Sequence, residues 1–320
     1  MPDRKLIVVA LGGNAITDPD QKGDVADQFA NSRRAAKPLA DLIEQGHELV
    51  VTHGNGPQIG NFLVRNDAAA GVIYPLPMEV AVAHVQGGMG FMIAQTLTNE
   101  LTRRGIERIV TAVITTVLVD QGDASFAKPT KPVGLTLSSD EAERLRRHNH
   151  DWVFKEVAAG QFRRVVPSPA PQKIMEIEHI RRAVAAGETL VVCGGGGIPV
   201  VRDPEDGLRG VRAVIDKDLA GALLAADLHA DAMLILTNTE RVCLHFGTPH
   251  QKAIERLTCS EAERYLAQGQ FPTGSMGPKI QGALAFLRAG PKPDARVIIG
   301  PLHRAADAIA GRTGTSIVPD

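Results

Sequence analysis

The chain has 320 residues, 44% of them hydrophobic, and a formal net charge of -1, which is enough apolar material for one large α/β domain or two lobes. Acids and bases are interspersed and nearly balanced, so neither a nucleic acid nor an anionic membrane is expected as partner, and the ligand should be small. Three scattered cysteines, Cys193, Cys243 and Cys259, lack CxxC spacing and exclude a disulfide framework or a cysteine zinc site. No apolar run approaches a membrane span and Met1 to Lys5 is no signal peptide, so a cytoplasmic protein is expected.

The first strong element is KLIVVALGGNAI. Leu6 to Leu11 form an unbroken apolar run rich in β-branched residues, the pattern of a strand buried on both faces of a parallel sheet. Gly12 and Gly13 then stop it. They can take positive φ and offer bare N–H groups to an anion, and Asn14 adds a side-chain amide, although a Gly-Gly after a strand is also an ordinary tight turn. A helical pattern follows as far as Gln45, with Pro38 inside it predicting a kink or a break. HELVVTH predicts a second buried strand, His47 to His53, followed by Gly54-Asn55-Gly56-Pro57, which repeats the design of the first turn. In a parallel sheet both turns open at one edge and can share a ligand.

Met78 to Arg104 reads as a long buried helix packed closely on its neighbours and, in part, suited to a second subunit. Its methionines read as core filler and His84 as a packed residue, since no second ligand stands at metal spacing. A third strand is expected from about Arg108 to Val119. From Asp120 to Asp151 the composition turns polar and proline-punctuated around one short charged helix entered at Ser138 or Ser139, so residues 120–151 read as a lid inserted between core strands and carrying Lys128 and Lys131. A solvated basic loop is the alternative.

The second half repeats the α/β rhythm. ETLVVC runs into Gly194 to Gly197, trading regular structure for backbone access. AVIDKDLAGALLAADL places Asp216-Lys217-Asp218 between an apolar run and a helix. A lysine at a helix start opposes the dipole, which leaves either a capped salt bridge or a cation aimed at phosphate. Asp231 to Leu236 is a further strand, ending in Thr237-Asn238-Thr239-Glu240. Ser260 with Glu263 predicts a capping box, and Gly274 to Lys279 opens another helix with Pro278 at its first position and a second such lysine, Lys279. A strand from Arg296, a helix from Pro301 and a strand from Gly314 to Val318 close the chain. Glycine turns beyond three strands, lysines at two helix openings and a lysine in an insertion are parts that phosphoryl transfer uses, with no Walker motif or protein-kinase signature.

The segments VVALGGNAI, VTHGNGPQIGN, KPTKPVG, RRVVPSPAP, CGGGGIPV, AVIDKDLA and GSMGPKI resemble carbamate kinase, in the amino-acid kinase superfamily, in the same order and over nearly the whole chain. The resemblance implies a single domain, 1–320, built as a three-layer αβα sandwich around a mainly parallel sheet of about eight strands, with a protruding subdomain at 120–151 and assembly as a homodimer. It implies reversible conversion of ADP and carbamoyl phosphate to ATP and carbamate with Mg²⁺. By motif, Gly12, Gly13 and Asn14 would hold the transferred phosphoryl group and Gly54, Asn55 and Gly56 the carbamate end. Lys217 and Lys279 would neutralise transition-state charge, Asp218 would orient them, and Lys131 would reach in from the lid. Gly195, Gly196, Thr237, Glu240 and Met276 would meet the nucleotide. The chain departs from the family pattern at Thr237 to Val242, where Glu240 replaces an aspartate, and at Gly300 to His303. Another small carboxylate or phosphate acceptor on the same fold, or a weakly catalytic binding protein, stay open as alternatives.

Overall fold

The computed structural model describes residues 4–12, 21, 23–149, 151–205, 207–290 and 292–320. Gly13 and Asn14 lie outside the described residues.

Eight strands form the main sheet: β1 (Leu6–Leu11), β2 (Glu48–His53), β3 (Val110–Ala112), β9 (Thr189–Val191), β12 (Ala232–Thr237), β15 (Arg256–Thr258), β16 (Arg296–Pro301) and β17 (Thr315–Val318). Their order is β15-β17-β16-β12-β1-β2-β9-β3, and every neighbouring pair is parallel except β16 with β17. β1 lies in the middle, with Val9 opposite Leu234 on one side and Val51 on the other. Its continuous apolar run follows from that position. Ile7, Val9 and Leu11 pack into one core while Val8 and Ala10 pack into a second on the opposite face, as the two-residue strand period requires.

Each face is covered by helices, giving three layers. Val25–Glu44 and Met78–Arg103 cover the face of Ile7 and Val9, contributing Ala35, Leu39, Ile93 and Leu97. Helices Ile177–Ala185, Lys217–Asp227, Cys259–Ala267 and Met276–Arg288 cover the other. Of the kink or break expected at Pro38, the break does not occur. The helix continues through it, held by buried Ala35, Ala36, Leu39, Leu42 and Ile43 along its inner face. The expected capping box is likewise displaced: Thr258 and Glu261 form it, two residues ahead of Ser260 and Glu263.

The single strand expected from Arg108 to Val119 is divided. β3 ends at Ala112, and β4 (Thr116–Val119) joins a second sheet with β8 (Pro171–Ile174), β10 (Ile198–Asp203) and β11 (Gly207–Gly210), in the order β11-β10-β4-β8. Thr115 is the pivot: its backbone is bonded through both N–H and C=O by the Gln86 amide, and its hydroxyl accepts from the Cys193 N–H at 3.1 Å. A small two-stranded arm pairs β13 (Cys243–Leu244) with β14 (Lys252–Ala253).

A separate antiparallel sheet, β5-β7-β6, is made of β5 (Lys131–Ser138), β6 (Val153–Ala158) and β7 (Gln161–Val166), with the helix Ser139–His148. Its helix is entered at Ser138, as expected, and opens with a capping box of Ser138 and Glu141. This unit spans residues 131–166, because β6 and β7 pair with β5. It meets the body where Gly60, on the helix Gly56–Ala68, faces Gly134. A Cβ on Gly60 would lie 3.3 Å from the Gly134 Cα, a contact tighter than most, so a side chain there would require the two segments to part by a few tenths of an ångström.

No helix among the described residues is long and apolar enough to cross a membrane. The three cysteines are all unpaired.

Candidate active site

The carboxyl ends of β1, β2 and β12 open onto one cleft of about 320 Å³, at the edge where parallel sheets hold ligands. Gly12, Gly54, Asn55, Gly56, Gly195, Thr237, Lys131, Asp216, Lys217, Asp218 and Lys279 all line it.

Two helices bring the core lysines together. Lys217 is the first residue of the helix Lys217–Asp227 and Lys279 stands in the first turn of Met276–Arg288. The helices touch at Gly282, where a Cβ would lie 2.7 Å from the carbonyl oxygen of Asp218. That approach places Asp218, 3% exposed, between the two ammonium groups: Lys217 Nζ is 2.5 Å from Oδ1 and Lys279 Nζ is 3.6 Å from Oδ2. Burial lowers the pKa of Lys279, as does the charge of Lys217, against the opposing pull of Asp218.

Asp216 has two roles that the sequence reading did not separate. Its side chain caps the helix, accepting from the Asp218 N–H at 2.9 Å, and it also accepts from Lys131 Nζ at 2.6 Å. Lys131 is the first residue of β5, so this ion pair ties the small sheet to the cleft. Burial pushes the Asp216 carboxyl up, but Lys131 and the cap bond outweigh it and hold the group below the usual carboxylate range. Asp216 was legible only as a cap; the DKD triplet carried the signal, but not its distant partner.

The glycine turns work differently from the expectation. The Gly12 N–H donates to Leu236 O and the Gly54 N–H to Leu11 O, each at 3.0 Å, so both extend the sheet ladder and are not free donors. Gly12 is also absent from the positive-φ glycines among the described residues. Its requirement is close approach: a Cβ there would lie 2.8 Å from Leu236 O. A further donor in the cleft wall is a side chain. Asn55 begins the helix Gly56–Ala68 without using its amide as a cap, and its Nδ2, buried with the residue 5% exposed, has no hydrogen-bond partner. Such a group costs about 1–3 kcal/mol unless an oxygen acceptor meets it.

The cleft therefore collects three ammonium groups, one unpartnered amide and three helix N-termini, at Gly56, Lys217 and Met276. Partial positive charge from those helix ends adds to that of the lysines, so the site is built for a multiply charged anion. Two acids, Asp216 and Asp218, line it among the described residues, both engaged by lysines.

Of the residues expected at the nucleotide, Gly195 and Thr237 line the cleft, whereas Gly196, Met276 and Glu240 do not. Gly196 abuts Ile215, where a Cβ would lie 2.4 Å from its carbonyl oxygen, and Met276 packs against the hydrophobic core. Glu240 accepts from Thr313 Oγ1 at 3.2 Å and lies 3.6 Å from both His303 and Arg304. It therefore forms a separate polar cluster with the chain's closing segment. No group of three potential metal-ligating side chains occurs among the described residues.

A family model described as the amino acid kinase family matches residues 5–299. Over its whole length the chain is similar to a carbamate kinase of Pyrococcus horikoshii, at 44% identity with 100% of both chains covered. A carbamate kinase-like protein of Escherichia coli is 42% identical over 98% of this chain and 99% of its own. Among solved structures, the carbamate kinase from Giardia lamblia bound to AMP-PNP matches with a TM-score of 0.92 and 37% identity, covering 100% of each chain.

Proposed function

The chain belongs to the amino acid kinase family and within it to the carbamate kinases, and from that premise we propose that its lysine-lined cleft passes a phosphoryl group between carbamoyl phosphate and ADP. The observation that carries this reading is the arrangement of Lys131, Lys217 and Lys279 around Asp216 and Asp218 at one sheet edge.

In the ATP-forming direction a terminal oxygen of the ADP β-phosphate attacks the phosphorus of carbamoyl phosphate. A new P–O bond forms to ADP, the P–O bond to the carbamoyl carboxyl oxygen breaks, and carbamate leaves as its carboxylate. No proton needs to move. What the protein supplies is position and charge. Lys217 and Lys279 flank the migrating group and Asp218 holds both. Lys131, drawn in from the small sheet by Asp216, closes the third side. Asn55 Nδ2 and the helix end at Gly56 receive the carbamoyl oxygens, and Gly195 and Thr237 border the nucleotide. Gly12 shapes the floor by letting β1 and β12 approach, and Gly13 and Asn14 keep the phosphoryl-holding role that the resemblance implies.

Mg²⁺ belongs to this reading as the ion of the nucleotide. The donor set fits an ion held chiefly by phosphate oxygens and water, since the lining carboxylates Asp216 and Asp218 are already paired with lysines and no group of three potential metal ligands occurs among the described residues. When bound, such an ion neutralises charge on the nucleotide phosphates. Residues 131–166, the sheet β5-β7-β6 with its helix, form the proposed lid. A homodimer is supported by the exposed apolar side chains of Phe91, Ile109 and Ile114, beside the edge strand β3.

The test is ATP formation from ADP and carbamoyl phosphate by the purified protein, coupled to NADPH production, with acetyl phosphate and other small acyl phosphates in parallel. Turnover with carbamoyl phosphate alone supports the assignment. Preferential turnover of another donor reassigns the acceptor, and no turnover with any donor rejects the kinase reading.

A further inference from the structure

One fully buried titratable group beside the cleft has no part in the charge arrangement. His53, the last residue of β2, is 1% exposed and does not line the cleft itself. Its Nδ1 lies 3.0 Å from the carbonyl oxygen of Gly54. Burial, reinforced by the nearby charge of Lys217 and opposed by that bond, lowers its pKa to about 4. The ring is neutral at ordinary pH, and the acceptor at Gly54 requires that its proton sit on Nδ1.

The other edge of the ring rests on the glycine loop after β9. A Cβ on Gly194 would lie 2.3 Å from His53 Nε2, and one on Gly195 would lie 2.0 Å from Asn55 Nδ2. Neither distance is possible for a real side chain, so His53 and Asn55 fit into the spaces that Gly194 and Gly195 leave. The loop itself is fixed at Cys193, whose carbonyl accepts from Thr52 Oγ1 at 2.9 Å and whose N–H donates to Thr115 Oγ1. It is therefore a firm surface for the ring to press on.

We propose that His53 is a positioning residue for the substrate-binding turn: its imidazole, wedged between the Gly54 carbonyl and Gly194, sets where Asn55 presents its unpartnered amide to the carbamoyl end of the donor. The inference rests on the assignment of Asn55 to that end. It also gives the four-glycine loop a purpose apart from ligand contact, as the mould that receives two side chains of the neighbouring turn.

The experiment measures KM for carbamoyl phosphate and for ADP, kcat and melting temperature in five variants: Asn55→Ala, His53→Ala, His53→Asn, Gly194→Ala and the double variant H53A/G194A. His53→Ala should raise KM for carbamoyl phosphate by roughly tenfold with KM for ADP unchanged, since small displacements of a positioning group carry effects of that order. His53→Asn keeps an amide donor near Gly54 and should recover most of the loss. Gly194→Ala displaces the ring and should have a similar effect alone, but little further effect where His53 is already alanine. Equal changes in both KM values, or multiplicative effects in the double variant, would overturn the inference. If Asn55→Ala raises KM for carbamoyl phosphate while His53→Ala does not, the inference fails and the Asn55 assignment stands; if Asn55→Ala changes nothing, both fail. Should His53→Ala not fold, Gly194→Ala decides, a selective rise in KM supporting the inference and an unchanged KM refuting it.

Discussion

Replacing Lys217 by alanine separates catalysis from stability, because the structure provides a substitute partner for the acid left behind. The Lys217 side chain is 14% exposed and bonded to Asp218, but Asp218 also has Lys279 at 3.6 Å, so the substitution does not leave a buried carboxylate without a cation. What it removes is one positive charge from a cleft where negative charge redistributes during transfer. At about 4 Å and an effective dielectric constant of about 20, that charge is worth roughly 4 kcal/mol. Loss of a single preorganised charge-stabilising group costs about 2.7–4 kcal/mol in comparable cases, or about a hundred to a thousandfold in kcat. Lys217→Ala should therefore lower kcat in the coupled ATP assay by about that factor, with KM for ADP much less affected and the melting temperature within a few degrees of the parent. A folded variant with kcat within threefold of the parent would refute the assignment of Lys217 to the transition state.

Further outcomes follow from the same geometry. Lys131→Ala removes the cation that holds Asp216 below the usual carboxylate range. Because Asp216 has a depressed folded value, its contribution to stability is complete above the ordinary 3.8 and is lost as pH falls through the folded value; without Lys131 the folded value rises toward or past 3.8, so the contribution and its loss in acid should both shrink, which melting curves across the acid range will show as a shallower fall than in the parent. Asp218→Asn removes the group that raises the pKa of Lys279, so that lysine should lose its proton at lower pH and the alkaline limb of the kcat/KM profile should move downward; an unmoved limb would separate Lys279 from the reaction. Gly12→Ala places a Cβ 2.8 Å from Leu236 O and should destabilise the fold by about 1–3 kcal/mol in denaturant titration, whereas a neutral result would show that β1 and β12 can part without cost.

Sequence alone determined the elements whose cause is local or periodic. The apolar run of Leu6 to Leu11 requires burial on both faces, and β1 is central in the sheet for that reason. Lys217 and Lys279 stand at helix starts, against the dipole, and that mismatch marked them before any coordinates did. Tertiary structure decided what depends on contacts between distant segments. The division of the strand at Thr115 follows from Gln86, 29 residues earlier. Lys131 meets Asp216 across 85 residues, a pairing that no local spacing encodes. The glycines show the difference most plainly. Their presence was visible, but Gly12 serves strand approach, Gly282 serves helix approach, and Gly194 and Gly195 make room for His53 and Asn55. A missing side chain records that something comes close, and only the folded chain shows what it is.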